Sequence, residues 1–256
     1  MLRLVTYNVR RCLGTDGQLS PARIAQILAA CRPDVVALQE LDVGRLRTGG
    51  VDQAHAIAAH LGMTAHFHAA LRVLEEEYGD AILTALPSRL VRAEGLPGPP
   101  GREPRGALWA AVAVAGAEIQ VVNTHLGLGR RERLAQAEAL LGPRWLGDPA
   151  CAGPVALVGD FNAVPGSRVY RRLAARLTDA HRAAPSRTRG TFPSRLPLLR
   201  LDHIFVTGGI EVVRAETFRG PGARVASDHL PLVADLRLGR GAGAAAPGGA
   251  WMEAAR

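Results

Sequence analysis

Short apolar runs that end in a polar residue recur along the chain. Their length and their content of Val, Ile and Leu are typical of buried β-strands. They alternate with segments of helical periodicity, which predicts a layered α/β arrangement with helices outside packed sheets. The predicted strands are Leu2–Asn8, Asp34–Glu40, Asp80–Ala85, Ala107–Ala115, Glu118–His125, Pro154–Asp160, Leu201–Val206 and His229–Leu236.

Four segments between these runs carry helix signals. In the first, Ser20 is placed to act as an N-cap before Pro21, and apolar residues follow at helical spacing as far as Cys31. The segment 95–101, dense in Pro and Gly, predicts a surface loop. The other predicted helices are Val51–Leu61, Arg130–Leu146 and Ser167–Leu177.

Length and composition favour one globular domain. The chain has 256 residues, 48% of them hydrophobic, which is enough for a substantial core. We expect the domain to span residues 1–238 and to be followed by a disordered Gly-, Ala- and Pro-rich tail over 239–256. The three cysteines are an odd number without close spacing, so they predict neither a disulfide framework nor a zinc knuckle.

The expected cellular location follows from the absence of a recognisable targeting peptide or membrane-spanning run in the pattern. Met1 to Arg10 reads as a strand rather than a signal or transit peptide, and no apolar run reaches the roughly 18 residues of a spanning helix. We therefore expect a cytoplasmic monomer without a transmembrane segment, for which peripheral contact with lipid stays open.

The formal net charge of +8 has two explanations. Clustered cations release counterions from a nucleic-acid backbone, so the charge can mark a nucleic-acid surface. However, all 31 basic residues are Arg, and abundant Ala, Gly and Pro accompany them, as expected from the codon usage of a GC-rich genome. Composition does not choose between the two.

The positions of the polar residues are more informative. Asn8, Glu40, His125 and Asp160 each stand at or just beyond the end of a predicted strand. A rigid sheet can hold side chains there while loops leave them accessible, which is the usual placement of a catalytic rim.

Six segments, in order along the chain, carry a family resemblance. Together they resemble the endonuclease/exonuclease/phosphatase superfamily, and the resemblance spans residues 2 to 238. It implies a DNase I-like fold of the α/β (α+β) class, which is a two-layered β-sandwich flanked by helices. It also implies that the protein hydrolyses a phosphate ester. The segments are Thr6-Tyr7-Asn8-Val9-Arg10, Leu38-Gln39-Glu40, Asn123-Thr124-His125-Leu126, Gly159-Asp160-Phe161-Asn162, Leu201-Asp202-His203-Ile204-Phe205 and Ser227-Asp228-His229-Leu230-Pro231.

The resemblance also implies catalytic roles. Asp160 matches the general base that activates the attacking water, and Asn162 the residue that orients that water or a phosphate oxygen. His125 and His229 are candidate phosphate contacts, since an imidazole donates to oxygen and stabilises added charge when protonated. Asp202 matches the carboxylate that supports His229. Its neighbour His203 should face the other side of the strand.

Phosphate-ester hydrolysis needs a cation that neutralises the phosphate, and Mg²⁺ prefers a few carboxylate or amide oxygens. We expect Mg²⁺, replaceable by Mn²⁺, with Glu40 as the first ligand. Asn8 and Asp228 contribute directly or through water.

Two further residues lie outside the firm pattern. Many members of the superfamily have Asn where this chain has Asp80, whose extra carboxylate can bind a second cation or form a local hydrogen bond. Arg105 is a candidate phosphate clamp, because guanidinium grips phosphate bidentately, although a solvated loop arginine explains it equally well.

The substrate is the open question, because one fold hosts many substrates. The near-minimal length and only 11 aromatic residues favour a small or lipid phosphoester. The alternative is a DNA endonuclease or exonuclease, for which the nine Arg residues between positions 168 and 200 would line an anionic path. A catalytically inactive binding protein is the remote alternative, since none of the motif positions is altered.

Overall fold

The computed structural model describes residues 1–184 and 190–239, which form two mixed sheets of six strands each. In spatial order the first sheet contains β11 (Ile210–Thr217), β12 (Leu232–Leu238), β1 (Leu2–Asn8), β2 (Val35–Val43), β4 (Glu76–Thr84) and β3 (Thr64–Val73). The second contains β5 (Ser88–Gly95), β6 (Gly106–Val114), β7 (Ala117–His125), β8 (Val155–Asp160), β10 (Asp202–Val206) and β9 (Thr178–Asp179).

Helices cover the outer faces of both sheets. Apolar side chains of α1 (Pro21–Cys31) and α2 (Gln53–Leu61) pack on the first sheet, and those of α3 (Arg130–Leu141) and α4 (Arg168–Ala174) pack on the second. A third apolar cluster fills the space between the sheets. The predicted two-layered sandwich flanked by helices is therefore confirmed. Two short helices, α5 (Ala180–Ala183) and α6 (Ala223–Ala226), complete the described elements.

All eight predicted strands are present, with ends shifted by a few residues. The four strands that the apolar pattern missed, β3, β5, β9 and β11, are the edge strands of the two sheets. Helix α3 ends at Leu141, earlier than predicted, because Gly142 and Pro143 interrupt it. Apart from Gly239, the predicted disordered tail lies outside the described residues. No helix in the described ranges is long and apolar enough to cross a membrane.

Strand alternation explains why polar residues converge between the sheets. In β1, Leu2 and Leu4 belong to the cluster between the sheets, whereas Val5 and Tyr7 belong to the cluster under the first sheet's helices. Because side chains alternate in a strand, Asn8 lies on the same face as Leu2 and Leu4. The inward rows of β7, β8 and β10 likewise end in a polar residue at the same edge of the sandwich, namely His125, Asp160 and Asp202.

A buried amide joins the two sheets beneath this edge. Asn123 Nδ2 donates to the carbonyl oxygens of Leu38 and Ala81, both at 2.9 Å, and its Oδ1 accepts from Gln39 Nε2 at 2.7 Å. Asn123 lies in the second sheet, whereas its three partners lie in the first. These hydrogen bonds fix the relative position of β7 and β2, whose ends carry predicted site residues.

We predict that Gly159→Ala will destabilise the fold strongly. Gly159 has φ +139°, and a Cβ there would lie 1.8 Å from the carbonyl oxygen of Thr124 on the neighbouring strand. The side chain would have to push β7 and β8 apart, so we expect a loss of at least about 2 kcal/mol in the free energy of unfolding. Urea unfolding followed by circular dichroism measures it. Gly208→Ala is the control, because a Cβ at Gly208 meets no atom within 4 Å.

Candidate active site

The predicted site residues meet at the sandwich edge where β1, β7 and β8 end and β10 begins. Asn8 lies at the centre of the group. Its Nδ2 donates to Glu40 Oε1 at 2.9 Å and to Asp160 Oδ2 at 3.0 Å. One amide from the first sheet thus contacts a carboxylate of its own sheet and one of the other.

The backbone at Glu40 departs from regular strand geometry. The pairing of β2 with β4 shifts register between Leu38 and Leu41, and Glu40 has φ +61°. This bulge turns the side chain of Glu40 towards Asn8. Burial raises the pKa of Glu40, the hydrogen bond from Asn8 lowers it, and the nearby charge of Asp160 raises it again.

Asp80 lies under this bulge. Its Oδ1 accepts from the backbone N–H of Glu40 at 3.4 Å, and the residue is 3% exposed. Burial raises the pKa of Asp80 to about 7, against the lowering effect of the Arg105 charge. Of the two uses expected for this carboxylate, the described contacts include the local hydrogen bond.

Asp202 and His229 form a buried pair. The Nδ1 atom of His229 lies 2.8 Å from Asp202 Oδ2, and its Nε2 faces Asp160 Oδ2 at 3.6 Å. Burial alone would lower the pKa of His229. The charges of Asp202 and Asp160 and the hydrogen bond to Asp202 outweigh it and raise the pKa to about 10. His229 is therefore an imidazolium at neutral pH.

His203 faces away from this pair, as strand alternation predicted. Its Nε2 contacts the carbonyl oxygen of Ala163 at 2.7 Å. Its ring packs against the rings of Phe161, Tyr170 and Phe205 under the helices of the second sheet. Neighbouring residues in β10 thus serve the site and the core.

The second imidazole, that of His125, is uncharged, unlike that of His229. Arg105 NH1 lies 2.8 Å from His125 Nδ1. A guanidinium only donates, so Nδ1 accepts and the ring proton of the neutral imidazole resides on Nε2, which faces Asp160 Oδ2 at 3.5 Å. Asn162 Nδ2, also a donor, donates to the carbonyl of Leu126 rather than to this nitrogen. Burial lowers the pKa of His125 to about 3, with the charges of Arg105 and His229 acting in the same direction. His125 is therefore neutral.

Asp160 lies between the two imidazoles. Its Oδ1 accepts from the backbone N–H of Asn162 at 2.8 Å, and Asn162 adopts a left-handed conformation with φ +47°. The Nδ2 atom of Asn162 donates to the carbonyl of Leu126 at 2.9 Å and lies 3.1 Å from His125 Nε2. Asp160 is 1% exposed, so its orientation is set by protein contacts.

Asp228 lies at the more accessible side of the site. Its side chain is 33% exposed and lies 3.6 Å from the Nε atom of Arg10. Ser227 Oγ donates to the carbonyl of Asn8 at 2.8 Å, which fastens the loop that carries Asp228 and His229 to the end of β1.

All nine predicted site residues therefore lie in one connected region. Sequence reasoning assigned no role to Gln39 and Asn123, although both stand inside the quoted motifs, and it placed Arg105 against phosphate rather than against His125. Their contacts link residues more than 15 positions apart, so strand ends and residue types alone carried no signal for them.

Comparison with known proteins agrees with this geometry. The model of the Endonuclease/Exonuclease/phosphatase family matches residues 5–229. The chain belongs to this family. The match begins inside β1 and ends at His229, so it includes every predicted site residue.

One curated protein resembles the chain in sequence, and two solved structures resemble it in fold. The uncharacterized protein YbhP of Escherichia coli is 31% identical over 178 residues, which are 64% of this chain and 64% of that protein's length. A mannosyl-6-phosphatase of Bacteroides thetaiotaomicron superposes with a TM-score of 0.76 at 21% identity, covering 93% of this chain and 100% of the other. The catalytic domain of human Nocturnin gives 0.71 at 23% identity, covering 93% and 94%.

The donor atoms of the site fit a hard divalent cation, the kind of ion that the family usually uses. Ligand atoms of Asp160, Asp202 and His229 lie within 4.8 Å of one another. Asp202 Oδ2 and His229 Nδ1 already bond to each other, and both oxygens of Asp160 accept hydrogen bonds from Asn8 and Asn162. Asp202 Oδ1 is the buried oxygen of this trio that has no hydrogen-bond partner in the described residues. The charges of Asp160 and Asp228 both raise the pKa of Glu40, which means that three carboxylates converge where a cation would relieve their repulsion.

We predict that Asp202 and His229 act as one unit in this family member. Asp202→Ala, His229→Ala and the double variant should lose turnover to a similar extent, because removing either partner destroys the oriented imidazolium. Steady-state kinetics on one phosphate ester with all three variants measures the coupling. Losses that add up in the double variant would contradict a joint role.

Proposed function

We propose that this member of a family of phosphoesterase hydrolases cleaves a phosphate ester with Mg²⁺, or with Mn²⁺ in its place, and with Asp160 as the base. The observation that carries the proposal is the position of Asp160 between a neutral His125 and a charged His229, with Asn8 bonded to its Oδ2. A buried carboxylate held in this way has a fixed direction in which to accept a proton.

The proposed division of labour follows from these charge states. Asp160 takes a proton from the attacking water, which Asn162 orients. The imidazolium of His229, held by Asp202, and the Nε2–H of His125 donate to phosphate oxygens as negative charge develops. Arg105 keeps the His125 proton on Nε2 by donating to Nδ1 and is also our candidate contact for the phosphate.

The proposed metal ligands are Glu40, Asn8 and Asp228. A bound divalent cation would supply positive charge for the phosphate group. The donors are oxygen atoms rather than thiolates, which favours Mg²⁺ or Mn²⁺ over zinc. Asn8 donates its Nδ2 protons to the two carboxylates, and its Oδ1 accepts from the backbone N–H of Arg10 at 3.0 Å, so the second lone pair of Oδ1 is what would serve as a ligand.

A small or lipid phosphoester is the proposed substrate. Of the arginines between positions 168 and 200, Arg172 pairs with Glu138 and Arg200 with Asp179. The charges of these two are compensated within the protein, so neither supports a nucleic-acid track there. The mannosyl-6-phosphatase neighbour is a precedent for a small substrate on this fold.

A DNA endonuclease or exonuclease remains the alternative. An inactive binding protein is disfavoured because the base and both imidazoles are intact and in contact. We keep the cytoplasm and a monomeric state as expectations.

We predict that a chelator abolishes activity. We also predict that two variants distinguish the role of Glu40 as a metal ligand from the role of Asp160 as the general base. Glu40→Gln should raise the Mg²⁺ concentration needed for half-maximal activity. Asp160→Asn should lower turnover by a factor on the order of hundreds with little change in that concentration. Metal titrations of initial rates measure both. Full activity in metal-free buffer would overturn the metal assignment, and normal turnover by Asp160→Asn would overturn the base.

We also predict a preference for compact esters over duplex DNA. A site that contacts one phosphate should respond weakly to salt, whereas binding through many phosphates loses orders of magnitude in affinity between low and physiological salt. Phospholipid head groups, small phosphate esters, plasmid DNA and abasic duplexes are compared under matched Mg²⁺ at two salt concentrations. Steeply salt-dependent DNA cleavage without turnover of the small esters would establish the nuclease alternative.

A further inference from the structure

A cavity of about 460 Å³ lies between the start of α3 and the start of α4, the helices that follow the loops after His125 and Asn162. Most of its lining is basic. We call the cavity the arginine pocket. It is lined by Arg130, Arg131, Arg133, Leu134, Ser167, Arg168 and Val169.

The four arginines of the pocket have no acid in ion-pair contact, and the charges of Glu132 on Arg133 and of Glu138 on Arg168 act at longer range. In the described ranges none of them lies within 4.0 Å of a carboxylate oxygen. Both acids of α3 have other partners. Glu132 Oε2 accepts from the backbone N–H of Gly129 at 3.2 Å, and Glu138 accepts from Arg172 at 2.5 Å. Positive charges held together in this way repel one another, and an anion relieves that repulsion.

Arg133 is fixed in position and connects the pocket with the site. Its NH1 donates to the carbonyl oxygens of Leu128 at 2.6 Å and Gly127 at 3.3 Å. Partial burial lowers the pKa of Arg133 and the charge of Glu132 raises it, while the charge of Arg130 lowers it and that of Asp160 raises it. The guanidinium is therefore close enough to Asp160 to sense its charge.

Short chain segments connect the pocket with the proposed reaction centre. The lining on one side begins at Arg130, which follows the loop after His125, and the lining on the other side begins at Ser167, which follows the loop after Asn162. His125 and Asn162, which precede these segments, are in contact in the site, with 3.1 Å between His125 Nε2 and Asn162 Nδ2. A ligand whose phosphate contacts His125 therefore extends into the pocket if it leaves between the two loops.

We propose that the arginine pocket binds a second phosphate of the substrate, so that the substrate class is a small bisphosphate ester. This inference rests on the proposed function. A phosphate dianion matches several guanidinium groups in both charge and bidentate geometry. The cavity has room for the phosphate together with part of the group that carries it. An oligonucleotide with its own neighbouring phosphates is the competing occupant and forms an arm of the test.

The test uses the double variant Arg131→Gln/Arg168→Gln, because both side chains are exposed and are not needed for the core. Arg214→Gln/Arg237→Gln is the matched control. It removes the same charge from exposed positions on β11 and β12. The substrates are α,ω-alkanediol bisphosphates of increasing chain length, each paired with the monophosphate of the same length.

The measured quantity is the ratio of kcat/KM for a bisphosphate to kcat/KM for its monophosphate. We expect this ratio to be largest at one chain length and to fall about tenfold or more in the pocket variant, since each lost hydrogen bond between charged groups weakens binding by about that factor. It should be unchanged in the control. An equal ratio in wild type and pocket variant would overturn the proposal.

Two further measurements separate the other outcomes. If the pocket variant loses salt-dependent oligonucleotide cleavage while the bisphosphate ratio stays constant, the pocket belongs to a nucleic acid and the proposal fails. Titration calorimetry with inorganic phosphate in the presence of chelator tests the pocket without turnover. Weaker binding by the pocket variant than by the control supports an anion site even if no ester is hydrolysed. Equal binding by both, with no bisphosphate preference, contradicts it.

Discussion

The site depends on one interaction, the buried amide of Asn123 that joins the two sheets. The first sheet supplies Asn8 and Glu40, and the second supplies His125 and Asp160, so the site exists only while the sheets keep their relative position. Asn123 fixes that position two residues before His125, with three hydrogen bonds to the first sheet in a region without solvent. An unsatisfied amide or carbonyl there would cost more than the bond itself contributes, so the pairing selects one alignment of the sandwich.

In the site next to this link, the two imidazoles have different charge states. The imidazole beside Asp202 is held charged, whereas the one beside Arg105 is held neutral, although both face the same oxygen of Asp160. Burial lowers the pKa of both rings. The charges of Asp202 and Asp160 outweigh it at His229, whereas at His125 the charge of Arg105 acts in the same direction as burial. Two residues of the same type thereby present different donors to one reaction centre.

The structure also separates the arginines of this basic chain into those that form ion pairs and those that line a cavity. Many arginines form ion pairs on the surface or, like Arg200 with Asp179, inside the fold. Because these arginines are neutralised within the protein, the net charge of the chain says little about which molecules it binds. The arginine pocket differs because its four arginines line one cavity, while the acids of α3 hydrogen-bond to other groups.

The sequence by itself determined the interior of the fold and the residue types of the site. Apolar runs identified the eight interior strands but missed edge strands such as β3, which are only half-buried and therefore mix polar with apolar residues. Strand ends identified Asn8, His125 and Asp160 because alternation and strand polarity are local properties. Only the tertiary structure decided that Arg105 contacts His125, that Asp80 supports Glu40 and that four arginines share a cavity. These contacts join distant segments, and packing of the two sheets and their helices, rather than any local pattern, sets which side chains meet.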